Sequence, residues 1–340
     1  MALLASFLVA RASGPWARCY NFPVLPFKLV YSDGYDLNLG AHVFPARKYK
    51  LIREKCLTDG IATPEDFLEP DPAPDADILR VHTREWTRKL KEGRLNYFEI
   101  LRLEVPYSPQ LVRAFWLSAG GSTLAARRAL VDRCAFNFGG GFHHAFADHG
   151  EGFCAINDVA VAIRRLQADK AIETALVVDL DVHQGNGTAA IFAGDASVYT
   201  LSMHQENNYP YPKPPSDLDV NLPDRIGDED YFRLLRDALA HAFREFAAKR
   251  DARSTKPDFI FYLAGADPYR EDQLGGLALT LEGLAERDRI VLAAARDRTI
   301  PIAITFAGGY ARQVQHTVQI HVNTIVTARD VFKEKSLGGN

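Results

Sequence analysis

The run Thr174-Ala-Leu-Val-Val-Asp-Leu-Asp-Val-His183 limits the fold more than any other part of the chain. Its apolar, β-branched start lacks the alternation of a half-exposed strand. It therefore reads as a strand covered on both faces, the kind found in parallel sheets. The far end carries Asp179, Asp181 and His183 and then turns at Gly185-Asn186-Gly187. Residues at i, i+2 and i+4 share one side of an extended chain. Two carboxylates and an imidazole are costly to bury there unless something pairs with them, and a divalent metal does so. Oxygen plus nitrogen ligation suits zinc or iron(II), with a third ligand from elsewhere and one position open to water. The plainer reading keeps Asp179 as a loop cap and His183 as a hydrogen-bonded histidine.

The rest of the chain supports a parallel sheet. Strands at 27–31, 134–138, 197–203, 258–263 and 300–306 alternate with helices at 45–57, 76–92, 109–133, 156–168, 228–249, 280–298 and a last one ending near 332. That alternation predicts an α/β fold with a mostly parallel sheet in one domain. Pro70, Pro72 and Pro74 make 68–75 a loop. The polar clusters follow strands, at the carboxyl edge where open α/β sheets place their sites. Asp267 is the natural third ligand, although Asp-Pro also starts ordinary turns. His143-His144, after three glycines, fits a general acid and base. Tyr310, after two glycines, fits a phenol aimed at a developing oxyanion; its plainer role is a turn aromatic packed on the sheet.

Composition excludes several partners. A net charge of −3 over 340 residues leaves no electrostatic footprint for nucleic acid or an anionic membrane. The 4 cysteines show no CxxC spacing, so neither a disulfide framework nor a zinc knuckle is indicated, and a reducing cytoplasm fits. Ala2 to Ala10 is apolar but too short to span a bilayer, and it lacks the basic start of a signal peptide. The expected organisation is a leader over 1–25, a catalytic domain over 26–332 and a tail over 333–340.

Taken in order, Asn137-Phe-Gly-Gly-Gly-Phe-His-His144, Gly150-Glu-Gly-Phe-Cys-Ala-Ile-Asn157, Asp179-Leu-Asp-Val-His-Gln-Gly-Asn-Gly187, Ala264-Gly-Ala-Asp-Pro268 and Ala307-Gly-Gly-Tyr310 resemble the zinc-dependent histone deacetylases. The details are nearest to the class IV branch and its bacterial relatives, and the resemblance runs from about residue 27 to 330. It implies the arginase/deacetylase fold, a three-layer α/β/α sandwich. It makes Asp181, His183 and Asp267 the ligands of one divalent ion, Zn2+ or Fe2+. His143 and His144 become the acid/base pair, Tyr310 the carbonyl-polarising phenol, and Asp179 the residue orienting His143. Asn186 falls behind His144, where an amide leaves that histidine less basic than a carboxylate would. Gly152 and Phe153 line an acyl tunnel with Tyr209 as the facing wall. Asp179 and Ser202 fall where the family holds a structural potassium ion.

The implied activity is hydrolysis of an Nε-acyl-lysine on a protein, with acetylpolyamines or other small acyl amides as the alternative substrates. The class IV likeness adds an expectation of long acyl chains. The acidic residue with which many relatives hold the substrate backbone has no clear counterpart between Leu95 and Pro109, Glu99 being nearest. An arginase-like two-metal site would need carboxylates at Gly265 and Gly185. A non-catalytic acyl-lysine-binding module would be expected to lack Tyr310 or one histidine.

Overall fold

Successive side chains of a strand face opposite ways, and here both directions are apolar. The structure, a computed structural model, describes residues 23–249 and 255–333. Its strands are β1 (Lys28–Val30), β2 (Phe67–Leu68), β3 (Cys134–Asn137), β4 (Ala175–Asp179), β5 (Val198–Gln205), β6 (Leu218–Leu222), β7 (Phe259–Leu263) and β8 (Ile302–Thr305). They form one 8-stranded sheet in the order β2-β1-β3-β8-β7-β4-β5-β6. Every pair is parallel.

The helices are α1 (Lys48–Thr58), α2 (Asp75–Ile78), α3 (Arg84–Glu92), α4 (Tyr97–Leu103), α5 (Pro109–Asp132), α6 (Asp158–Ala168), α7 (Asn186–Ile191), α8 (Asp228–Lys249), α9 (Leu281–Asp297) and α10 (Val314–Lys333). Val177, Phe261 and Ala303 pack in one core with Ala126 of α5 and Ile163 of α6. Their strand neighbours Val178, Tyr262 and Ile304 face a second core with Ile52 of α1, Leu292 of α9 and Ile325 of α10. Period-two alternation thus sorts the side chains into the two interfaces of a three-layer α/β/α sandwich.

The expected helix at 76–92 is two helices, because the Thr83 hydroxyl accepts from Trp86 N at 3.2 Å and caps a new start. Two short strands, β2 and β6, lie at the edges of the sheet. Packing begins before residue 26: Leu25 is buried, and the Asp66 carboxylate accepts from Val24 N and Leu25 N at 3.1 and 3.2 Å. The rest of the leader, 1–22, and the tail over 334–340 lie outside the described residues. Among the described residues no helix is long and apolar enough to cross a membrane. Cys56, Cys134 and Cys154 are buried free thiols.

One buried ion pair ties α9 to the site. Arg287 and Asp288 are fully buried and paired at 2.8 Å. Arg287 Nη1 donates to Gly265 O at 2.6 Å and Leu180 O at 3.4 Å, the carbonyls of the two loops carrying Asp267 and Asp181. Asp288 also accepts from Tyr262 and Thr324 at 2.5 and 2.6 Å. Arg287→Met is expected to destabilise the fold by about 3–5 kcal/mol, since it strands a buried carboxylate. Urea unfolding checks this, and a midpoint unchanged from wild type would show the pair to be dispensable.

Candidate active site and metal centre

Five adjacent strands of the sheet, β3, β8, β7, β4 and β5, end in the segments that build the site. After β4 the chain stays in register for one more residue, Leu180 N donating to Leu263 O at 3.1 Å. It then bends so that Asp181 and His183 converge with Asp267 from the loop after β7. These three buried residues offer ligand atoms within 4.8 Å of one another. His183 Nδ1 is 3.0 Å from Asp181 Oδ1 and 3.5 Å from Asp267 Oδ2.

The cluster fits a divalent cation on its own chemistry. Asp267 Oδ2 is buried without a hydrogen-bond partner, while Oδ1 accepts from Val182 N at 2.8 Å. Burial, and then the charge of Asp181, push the Asp267 carboxyl up to about 7. Two carboxylates and a neutral imidazole balance a dication. Glycine keeps the space open: a Cβ on Gly308 would meet Asp267 Oδ2 at 1.9 Å, and one on Gly265 would meet Asp181 Oδ2 at 2.8 Å.

The tandem histidines sit on a turn fixed by a residue the sequence reading did not single out. Asp158, at the start of α6, accepts from Phe142 N at 2.8 Å and Gly141 N at 3.0 Å. Gly141 has φ +94, which a side chain rarely tolerates. The two rings lie 4.0 Å apart between centroids. Asp179 Oδ2 is 2.7 Å from His143 Nδ1, and Asn186 Oδ1 is 2.7 Å from His144 Nδ1. Burial alone would lower His143, but the charges of Asp179 and Asp181 prevail and raise it to about 9. Burial, with His143 and His183 beside it, holds His144 well below the usual histidine range. The two imidazoles thus sit in different surroundings, one against a carboxylate and one against an amide. Asp179 and Ser202 are direct partners across β4 and β5.

Tyr310 follows β8 through Gly308 and Gly309, the latter at φ +145. Its backbone N–H donates to Asp272 at 2.6 Å. Its ring packs edge-on against Phe44, Phe153 and His183 at 6.0–6.4 Å. Burial and then Asp181 and Asp267 push the phenol well above its ordinary range, so it stays a donor near neutrality. Lys48 Nζ, fully buried, donates to Ala307 O at 2.6 Å behind this turn. No sequence signal marked it.

A tunnel of about 190 Å³ reaches these groups. Gly152, Phe153, Tyr209 and Leu274 wall it, His144, His183 and Tyr310 close its inner end, and Glu104 joins the lining. Gly152 and Phe153 have φ +53 and +69, as the centre of a two-residue hairpin turn between Glu151 and Cys154. A Cβ on Gly152 would stand 2.8 Å from His144 Cδ2.

Of the acidic residues between Leu95 and Pro109, where no clear counterpart of the substrate-holding residue is expected, Glu104 and not the nearest candidate Glu99 lines the cavity. Glu99 caps α4, accepting from Asn96 N at 2.8 Å, and pairs with Lys89 at 2.7 Å. Glu104 ends the same helix at φ +58, the left-handed C-cap conformation in which glycine is the usual residue. Burial, and then Glu151, raise its carboxyl.

A family model described as the histone deacetylase domain matches residues 42–325. The chain belongs to the histone deacetylase family. A probable deacetylase of Archaeoglobus fulgidus is 30% identical over 83% of this chain and 81% of its own length. Histone deacetylase 2 of Arabidopsis thaliana is 29% identical over 86% and 77%. An uncharacterized protein of Picosynechococcus is 38% identical over 90% and 99%. The crystal structure of the HDA15 HD domain superposes with a TM-score of 0.73 over 90% of this chain and 92% of that one, at 23% identity, and so shares the fold. Membership in the histone deacetylase family makes this a hydrolase of a metal-dependent class, and the Asp181, His183 and Asp267 cluster is where a histone deacetylase fold of this sequence can hold the ion.

Proposed function

We propose that the chain removes a short acyl group from Nε-acyl-lysine as a one-metal, zinc-dependent deacylase, with iron(II) as the alternative ion. The observation that carries this reading is the cavity that brings His144, His183 and Tyr310 together with the walls of Phe153, Tyr209 and Leu274, as an alkyl stem carrying a reacting amide requires. A bound divalent ion supplies Lewis-acid polarisation of the carbonyl and an acidified water. His144 takes the proton of the attacking water, and His143 holds one for the leaving amine. Tyr310 donates its phenol to the oxyanion. Glu104, on the tunnel lining, suits the backbone N–H groups of a peptide. It equally suits a second ammonium, so an acetylpolyamine is the second reading. The buried free thiols agree with a reducing cytoplasm, and Asp179 with Ser202 is the place for a potassium ion.

The long acyl chain expected from the class IV likeness finds little support. A second, smaller cavity of about 20 Å³ shares His144, Gly152, Phe153 and Tyr310 with the tunnel and is walled further by Phe44, Tyr49 and Phe142. That is room for a methyl group. An acetyl-lysine peptide is expected to be cleaved with kcat/KM at least about tenfold above its myristoyl counterpart, because overfilling a packed cavity costs about 1–3 kcal/mol. Assaying both acyl groups on one peptide, with acetylspermidine alongside, tests the reading. A myristoyl preference would refute the short-acyl assignment, and turnover of acetylspermidine alone would replace lysine by polyamine.

A further inference from the structure

Glu151 has no part in the chemistry above, yet its carboxylate, only 17% exposed, reaches the side chain that holds His144. It accepts from the Asn186 side-chain amide. Burial, and then the charge of Glu151, raise the Tyr209 phenol. The Tyr209 ring in turn stands edge-on to His144, with centroids 4.9 Å apart. Its own backbone is pinned, Glu151 N donating to Cys154 O at 3.1 Å and Glu151 O accepting from Cys154 N at 2.9 Å. On the outer side His149 Nε2 lies 3.8 Å away, with Asp148 on its other nitrogen at 2.7 Å.

Resting on the deacylase reading, we propose that Glu151 is the positioning residue of His144. A carboxylate only accepts, so it fixes which end of the Asn186 amide faces it. Asn186 Oδ1 then faces His144 Nδ1, as it also accepts from Gly187 N at 3.0 Å. The histidine must carry its proton on Nδ1, which leaves the Nε2 lone pair free for the attacking water. An amide does not relay protons, so the chain Glu151–Asn186–His144 transmits orientation and charge. Glu151 thus supplies, one residue removed, the carboxylate that Asn186 lacks.

A double-mutant cycle tests this. Glu151→Gln is expected to lower kcat on an acetyl-lysine peptide by about 10–100-fold, the usual cost of an outer-shell partner. KM, metal content and melting temperature should stay near wild type. In an Asn186→Asp background the chain no longer runs through an amide, and two carboxylates face each other. There Glu151→Gln should cost nothing or raise kcat. Equal losses in both backgrounds, or a Glu151→Gln kcat within twofold of wild type, would overturn the proposal. The Nδ1–H proton resonance of His144, read by NMR in 15N-histidine protein, should move upfield in Glu151→Gln. That readout needs no turnover: if the wild type cleaves no acyl amide, the deacylase reading fails while the resonance still decides the positioning role. Should Glu151→Gln not fold, Glu151→Asp, which draws the carboxylate back from the Asn186 amide, should lower kcat at least about threefold; an unchanged kcat would count against the proposal.

Discussion

Asp267→Asn is expected to abolish stoichiometric metal binding and to lower kcat/KM by more than about 10²-fold, since even outer-shell partners cost 10–100-fold. The substitution keeps an oxygen to accept from Val182 N, so the loop stays in place and the loss reports ligation. The metal should also compete with protons in a predictable way. In the ion-free protein burial opposes a charge on His183, but hydrogen bonds and charges from Asp181 and Asp267 prevail and raise it to about 10. Proton and ion contend for the same Nδ1. Apparent affinity should therefore fall about tenfold per unit as pH drops from about 9 to 7, and more steeply below that, where Asp267 also takes a proton. Competition with a fluorescent chelator measures the slope. A flat profile would remove His183 from the ligand set, and two ions per chain by elemental analysis would overturn the one-metal reading.

What was legible in the sequence divides along physical lines. Strands buried on both faces, such as Ala175–Asp179 and Phe259–Leu263, announce themselves by continuous apolar runs, and the ligands stand at their ends. The edge strand Leu218–Leu222 alternates polar and apolar residues in five positions and gives no such signal. Helix α4 carried one that went unread: Asn96 and Glu99 form a capping box, the pattern of a helix start. Reading it would have placed Glu99 in a cap and left Glu104, at the helix end, for the tunnel. Glu104 also escaped notice because glycine is the usual residue in its left-handed conformation. Glu151, Lys48 and Asp158 act through contacts far apart in sequence. Each is an ordinary charged residue until the sheet brings the segments after β3, β8 and β4 to one edge.

Tyr310→Phe is expected to lower kcat by about 10²–10³-fold with metal content and stability unchanged, the usual loss for one oxyanion donor. The backbone of this turn is held independently of the hydroxyl. Asp272 accepts from Tyr310 N, Gln273 Nε2 donates to Tyr310 O at 2.8 Å, and the ring keeps its contacts with Phe44 and Phe153. A phenylalanine therefore fills the same place, and only the O–H is lost. Since Asp181 and Asp267 help hold the phenol protonated, its donor strength does not change through the neutral range. The deficit should be constant from about pH 6 to 9, unlike a loss through either histidine. The carbonyl acquires its charge only as water attacks, so the deficit should fall on kcat rather than KM. Steady-state kinetics of the variant against wild type across that range decides the point. Turnover within a few-fold of wild type, or a defect confined to KM, would assign Tyr310 to the tunnel wall instead.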